Sequence, residues 1–154
     1  MKNQKFQLVT SDHPALRAVA EAVEPADRMV LKDQLYWLQK LRKKLKGAGL
    51  AAPQLGDSRR WFVWERGLVV NPTILQHGYE LHEEQEGCLS FPGLKVWIKR
   101  PKRCRVTYLD ENGDVVTLDL DGHESTIFQH EVDHLDGKCI DEYGLEDNPH
   151  RGYK

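Results

Sequence analysis

The chain lacks the apolar segments that membrane-spanning and secreted proteins carry. Nowhere do about 18 apolar residues follow one another, and residues 1–5 lead into no apolar stretch. A helix needs roughly 20 apolar residues to cross a bilayer, and a secretory signal needs an apolar core of its own. We therefore expect a cytoplasmic protein that has no membrane partner.

Cysteine is scarce, and so is net charge. The three cysteines, Cys88, Cys104 and Cys139, are odd in number and unrelated in spacing, and the net charge is −2. In a reducing compartment, such cysteines are typical of free thiols or of a metal ligand rather than of a disulfide framework. A charge so close to zero gives no indication of DNA or another polyanion as a partner.

The rest of the composition is that of an ordinary globular protein. Apolar residues make up 40% of the 154 positions, and charged residues make up 30%. A chain of this length buries roughly 70% of the surface that it exposes when unfolded, which allows one substantial core. We expect a single domain over residues 1–154, in which the polar residues 144–154 form a loose tail.

Hydrophobic periodicity predicts an α+β fold. Leucines at helical spacing indicate a long N-terminal helix from Pro25 to Lys46, ended by Gly47. Short apolar runs predict strands at 61–64, at 68–70 with an end at 71–72, at 96–98, and at 104–109 and 115–120, which flank a turn containing Asn112-Gly113. Strands followed by one late helix favour mainly antiparallel sheets packed around that helix.

The late helix contains the pattern HExxH. His130 and His134 are four residues apart, so they project from one helical face and can bind one metal ion. Glu131 lies between them, where a carboxylate can accept a proton from a water on that ion. A solvated polar stripe is the alternative, but apolar neighbours such as Phe128 and Leu135 favour a buried helix.

The ends of this helix carry further signals. Asp121 followed by Glu124 suits a capping box at its start, and Gly137 suits a left-handed cap at its end. Residues 138–143 beyond it are compatible with a short strand or a turn.

A third metal ligand is needed, because catalytic sites of this kind usually have three protein ligands. The longer pattern HExxHxxGxxH fails, since Ile140 stands at the last histidine position. A downstream glutamate would have to be Glu142 or Glu146, close to the end of the chain. Upstream, Cys88 offers a thiol beside Gly87, with a buried structural cysteine as the alternative interpretation.

Three segments then occur in order, GAGLAAPQ at 47–54, EGCLS at 86–90 and QHEVDH at 129–134. Together they resemble the signature of the peptide deformylase family, and the resemblance extends from about Asp12 to Tyr143. It implies that Cys88, His130 and His134 bind one divalent metal ion. Iron(II) is the implied native ion, and zinc, nickel or cobalt also suit a thiolate with two imidazoles.

The resemblance also implies a mechanism. Glu131 would accept a proton from the attacking water and pass it to the departing amine. The side-chain amide of Gln54 and the backbone N–H of Leu89 would stabilise the oxyanion. The implied substrate is the N-formylmethionyl end of a nascent peptide, which is cleaved to formate and a free amine.

By the same resemblance, the substrate is expected to contact Gly49, Ala48, Glu86 and Ile127. Deformylases often have Ile or Val where Ala48 stands, and polar residues precede the helix motif, which predicts a wider or wetter methionine pocket. Bacterial members often dock on the ribosome through a longer C-terminal helix. Only about 17 residues follow Gly137, which argues against ribosome contact.

Two other functions stay open at this point. A metalloendopeptidase would use the same helix and place no special demand on Cys88. A catalytically silent binding module would keep the fold and the metal. The joint presence of Glu131 and Gln54 argues against the silent module, because binding a metal requires neither residue.

Overall fold

The computed structural model describes residues 6–144, and these form an α+β fold with antiparallel sheets and two α-helices. Helix α1 spans Pro25–Lys44 and helix α2 spans His123–Leu135. Three short 3₁₀ turns span Pro14–Arg17, Ala52–Leu55 and Ile140–Gly144. No helix within the described range is long and apolar enough to cross a membrane. The predicted tail lies outside the described residues beyond position 144.

The strands form two separate antiparallel sheets. A five-stranded sheet has the order β1-β2-β3-β6-β7. Its strands are β1 (Gly49–Ala51), β2 (Trp61–Trp64), β3 (Gly67–His77), β6 (Arg103–Leu109) and β7 (Val115–Asp121). A two-stranded sheet pairs β4 (Leu81–Cys88) with β5 (Phe91–Pro101).

The larger sheet is covered on both faces, and β2 shows why. Successive residues of a strand point to opposite faces, and all four residues of β2 are buried. Trp61 and Val63 join the cluster that includes Leu38 of α1. Phe62 and Trp64 pack instead with Phe128 of α2. The sheet therefore lies between the two helices, with one apolar cluster on each face. The cluster that contains Phe128 sets the position of α2.

Strand β3 continues past the point where the sequence predicts its end. The prediction that residues 71–72 stop this strand is wrong, because β3 runs on to His77. Asn71 has a left-handed φ of 51°, and the register with β6 shifts between Val70 and Thr73. Asn tolerates that conformation, and an irregularity of this kind accommodates Pro72, which cannot donate a ladder hydrogen bond.

The helix ends differ in detail from the prediction. Helix α1 ends at Lys44, and Lys46, not Gly47, takes the left-handed conformation with φ 59°. The capping box at the start of α2 is wrong, because Gly122 is the N-cap and no side chain caps it. Asp121 belongs to β7, and Glu124 pairs with Arg66 instead.

Beyond α2, Gly137 has the predicted left-handed conformation, with φ 76°. A Cβ added there would lie 2.7 Å from the Arg17 carbonyl oxygen, so the backbone of the N-terminal segment packs against this glycine. The chain then turns into the 3₁₀ segment Ile140–Gly144, which resolves the open choice between a strand and a turn.

Candidate metal centre

Three side chains of the types that can bind a metal ion converge where the end of β4 meets α2. One ligand atom each from Cys88, His130 and His134 lies within 4.8 Å of the other two. The Cys88 Sγ atom is 3.3 Å from His134 Nε2. Metal–ligand bonds of about 2.0–2.3 Å in a tetrahedral site place donor atoms roughly 3.5 Å apart. The spacing of these donors therefore suits a single ion.

The orientation of His130 is set by Glu86, which sits on β4 two residues before Cys88. His130 Nδ1 lies 2.8 Å from Glu86 Oε1. An ionised carboxylate only accepts hydrogen bonds, so Nδ1 carries the hydrogen and Nε2 is left for the ion. Burial tends to raise the pKa of Glu86, but hydrogen bonds from His130 and Arg100 lower it overall and keep the group ionised.

Arg100 of β5 connects this carboxylate to the end of the described chain. Its guanidinium donates to both oxygens of Glu86, at 2.7 and 3.0 Å, and to Asp133 Oδ2 at 2.9 Å. The Tyr143 hydroxyl lies 3.2 Å from the same guanidinium and donates to Asp133 at 2.5 Å. The Arg100 side chain is only 5% exposed. A buried ionic network thus stands behind His130.

Glu131 faces the centre from the turn between the two histidines. It is 3% exposed, and its Oε1 atom has no hydrogen-bond partner among the residues that the structure describes. Burial raises the pKa of this carboxyl to about 7. Gly49 of β1 packs directly against it, because a Cβ at that position would come within 2.7 Å of the carboxyl group. A carboxylate oxygen without a partner in the described part of the chain therefore lies beside the three candidate ligands.

Gln54 presents its amide to the same centre. Its Oε1 accepts a hydrogen bond from the Ala51 N–H at 2.9 Å. This bond directs the carbonyl end of the amide toward Ala51 and leaves the N–H end for Cys88. Its Nε2 lies 3.6 Å from Cys88 Sγ. Leu89 follows Cys88 directly in the two-residue link between β4 and β5. The two predicted oxyanion donors thus lie on opposite chain segments next to the thiol.

A groove of about 440 Å³ opens over this centre, a volume within the usual range for small-ligand sites. We call it the substrate groove. The predicted catalytic residues line it, as do the four residues predicted to contact substrate, Gly49, Ala48, Glu86 and Ile127. His134 is 1% exposed and lies behind the groove wall, in contact with Cys88.

The family model for polypeptide deformylase matches residues 5–144. The chain belongs to the polypeptide deformylase family. It is 41% identical to a peptide deformylase of Thermotoga neapolitana over 131 residues, which cover 82% of this chain and 79% of that protein. The family match and this relative show that the chain is a deformylating hydrolase. Peptide deformylases depend on a metal ion and act on formyl-methionyl peptides.

Solved deformylase structures agree in fold with this chain. The crystal structure of the Thermotoga maritima enzyme superposes with a TM-score of 0.85 at 37% identity, covering 92% of this chain and 98% of that chain. A Synechococcus elongatus deformylase in complex with actinonin gives a TM-score of 0.85 at 31% identity, covering 92% of this chain and 81% of that one.

Sequence reasoning missed the network behind His130 in this deformylase. Arg100, Asp133 and Tyr143 contact Glu86 or one another, and none of the three was predicted to support the site. One signal was present, because Arg100 follows Val96 and Ile98 at every second position of β5, and all three are buried. A charged residue on the buried face of a strand requires a partner.

Proposed function

We propose that Cys88, His130 and His134 hold the ion with which this deformylase removes the formyl group from N-formylmethionyl peptides. The observation that carries the proposal is the convergence of these three side chains beside the substrate groove, together with a Glu131 carboxylate oxygen that has no hydrogen-bond partner among the described residues. A structural site would have no need of that carboxylate, whereas hydrolysis needs a group that moves a proton.

The donor set fits a divalent transition metal. One thiolate and two imidazoles suit iron(II), zinc, nickel or cobalt and disfavour magnesium and calcium, which prefer oxygen ligands. We propose iron(II) as the native ion, following the family resemblance. When bound, such an ion supplies a Lewis acid that acidifies water and polarises the formyl carbonyl.

In the proposed reaction, Glu131 takes a proton from the water that attacks the formyl carbon. The C–N bond then breaks, Glu131 delivers the proton to the amine nitrogen, and formate and a free peptide N terminus leave. The Gln54 amide and the Leu89 N–H donate to the oxygen that becomes negatively charged. The bond from Ala51 to Gln54 Oε1 supports this role, because it leaves the donor end of the amide facing the thiol.

The substrate is proposed to lie in the groove with its first side chain against Ile127 and Ala48, and its backbone beside Gly49. Glu86 also lines the groove, but its bonds to His130 and Arg100 favour a role in orienting the histidine. The single domain over residues 1–154 and the cytoplasmic location stay predictions.

Formate release from formyl-Met-Ala-Ser, measured with anaerobically purified protein, tests the proposal. Glu131→Gln keeps all three ligands and removes the base, so we expect turnover to fall by about a hundredfold or more while the metal content is unchanged. Undiminished turnover in Glu131→Gln would contradict the assigned base.

The ligand assignment needs a second variant. Cys88→Ala removes one of three ligands, and we expect the purified variant to lose its metal by elemental analysis. Full metal occupancy in Cys88→Ala would show that the thiolate is not a ligand. Cleavage of unformylated casein by the parent protein would instead favour the endopeptidase.

A further inference from the structure

The end of the substrate groove that lies away from the metal centre is polar. Glu84 of β4, together with His123 and Thr126 of α2, lines the groove there. His123 precedes His130 by seven residues, which is about 10 Å along a helix that rises 1.5 Å per residue. Between these two positions, Ile127 supplies an apolar stretch of wall.

The polar groups at this end are bonded to one another. His123 Nδ1 lies 2.9 Å from Glu84 Oε2, and His82 Nε2 lies 2.9 Å from the Thr126 hydroxyl. Glu84 Oε1 is 4.0 Å from His82 Nδ1, too far for a hydrogen bond. The Glu84 side chain is 26% exposed, and Thr126 is almost fully buried.

This arrangement presents acceptors to whatever occupies the groove. A carboxylate can only accept, so His123 Nδ1 carries the hydrogen of their shared bond, and Nε2 of the neutral ring is then an acceptor. Glu84 Oε1 is a second acceptor with unused capacity. A methionine side chain satisfies neither group, because a thioether has no hydrogen to donate.

The first side chain of a formylated peptide is long enough to reach these acceptors. The α-carbon lies about 2.5 Å from the formyl carbon across the amide nitrogen, and an extended side chain of four non-hydrogen atoms adds about 5 Å. Its end therefore lies about 7–8 Å from the reacting carbon. That leaves roughly one hydrogen-bond length to the level of His123, which lies about 10 Å along the axis of α2 from His130.

We propose that Glu84 and His123 make this deformylase accept N-formyl peptides whose first side chain ends in an N–H donor, of which glutamine is the closest match to methionine in length. The proposal rests on the proposed function, because it places the formyl group at the metal centre. Ile127 and Ala48 contact the methylene groups of such a side chain, and the Glu84–His123 pair binds the terminal amide.

The test compares formyl-Gln-Ala-Ser with its apolar match, formyl-norleucyl-Ala-Ser, in the metal-loaded enzyme. We expect the ratio of kcat/KM values, glutamine over norleucine, to fall about tenfold or more in Glu84→Leu, as lost hydrogen bonds to a charged group imply. His123→Leu is expected to lower the same ratio, because it removes the acceptor at His123 Nε2. A ratio that both variants leave unchanged would overturn the proposal.

Glu83→Gln is the matched control. Glu83 neighbours Glu84 on β4 but points to the opposite side of the strand, where Lys99 Nζ lies 3.8 Å away. Glu83→Gln removes one negative charge, as Glu84→Leu does, but it does so outside the groove. The ratio of kcat/KM values, glutamine over norleucine, is therefore expected to stay at the parent value. An equal fall in Glu83→Gln would mean that overall charge sets the ratio, and would overturn the role of Glu84.

The two proposals fail in distinguishable ways. Formate release from formyl-Met-Ala-Ser but not from formyl-Gln-Ala-Ser would overturn the specificity proposal and leave the proposed function intact. Release from neither peptide by metal-loaded protein would overturn the proposed function, and the specificity proposal with it.

Discussion

Gly49 leaves the space that the carboxyl group of Glu131 occupies. A side chain at position 49 would begin 2.7 Å from that carboxyl, well inside van der Waals contact. Glu131 is 3% exposed and has little room to retreat. The absence of one side chain on β1 thus determines where the proposed base can sit.

Gly49→Ala should therefore reduce catalysis more than it reduces metal binding. We expect turnover of formyl-Met-Ala-Ser to fall at least tenfold, because displacing a positioned base by about 1 Å has large effects on rate. Metal content should stay at the parent level, since the three atoms nearest to the new methyl group all belong to Glu131 and none belongs to a proposed ligand. Formate release and elemental analysis on the same preparation measure both quantities.

Gly78→Ala serves as the control for that substitution, because Gly78 lies between β3 and β4 and its added Cβ would meet Arg103. It should retain turnover. Parent activity in Gly49→Ala would show that Glu131 does not need the position seen in the structure.

At the scale of whole elements, β5 and α2 are joined by the buried ions behind His130. Arg100 on β5 holds Glu86 of β4 and Asp133 of α2 at the same time. The 3₁₀ turn Ile140–Gly144 adds Tyr143 to this contact. A small two-stranded sheet is only marginally stable alone, so its attachment to the helix matters for the ligand that it carries.

Arg100→Met should lower both the unfolding free energy and the affinity for the metal. Leaving the buried Glu86 carboxylate and the partly buried Asp133 carboxylate without their cation costs about 3 kcal/mol or more of unfolding free energy. Loss of a group that supports a metal-binding histidine lowers affinity by about tenfold to a hundredfold. Urea unfolding of metal-free protein measures the first effect, and competition with a chelator measures the second.

Arg105→Met is the matched control, because Arg105 pairs with Asp119 on the exposed side of the larger sheet. We expect parent values for stability and metal affinity there. If Arg100→Met bound metal as tightly as the parent, His130 would not depend on this network.

The end of α2 also depends on one backbone conformation. Gly137 has φ 76°, and the carbonyl oxygen of Arg17 would lie 2.7 Å from any Cβ added there. Gly137→Ala should lower the unfolding free energy by about 1–2 kcal/mol from the left-handed conformation alone, and by more from the clash. A urea midpoint equal to that of the parent would show that the N-terminal segment can move away from the added methyl group without loss of stability.

For the whole molecule, the proposed metal centre joins chain segments that are far apart in sequence. Cys88 lies 46 residues before His134, and the groove also takes residues 46–49 and Gln54. An ion that binds only the folded protein adds stability by mass action, about 4 kcal/mol at a thousand times its dissociation constant. Metal binding should thus be visible in unfolding as well as in activity.

Removing the metal should abolish formate release and lower the unfolding temperature by roughly 10 °C, given about 2–4 °C per kcal/mol for a chain of this size. Dialysis against a chelator, followed by added cobalt or zinc, should restore both properties. Cys88→Ala provides the comparison, because its melting temperature should not respond to added metal. If the unfolding temperature of the parent protein were the same with and without metal, the result would argue against a site built from these distant segments.

The sequence by itself determined the local patterns. HExxH needs only the repeat of one helix to bring His130, Glu131 and His134 together, and the Asn112-Gly113 turn predicted its hairpin, with Gly113 at φ 84°. The segments around Gln54 and Cys88 indicated the family, although no local rule relates them to the helix in space.

Tertiary structure decided what depends on long-range pairing. β4 is not among the strands that the sequence predicts, and it forms by pairing with β5, which brings Cys88 beside His134. The partners of Arg100, the pairing of Glu84 with His123 and the space over Gly49 likewise follow from segments that meet only after folding. Helical repeats act over a few residues, whereas sheet register and the burial of charge are settled by the whole chain.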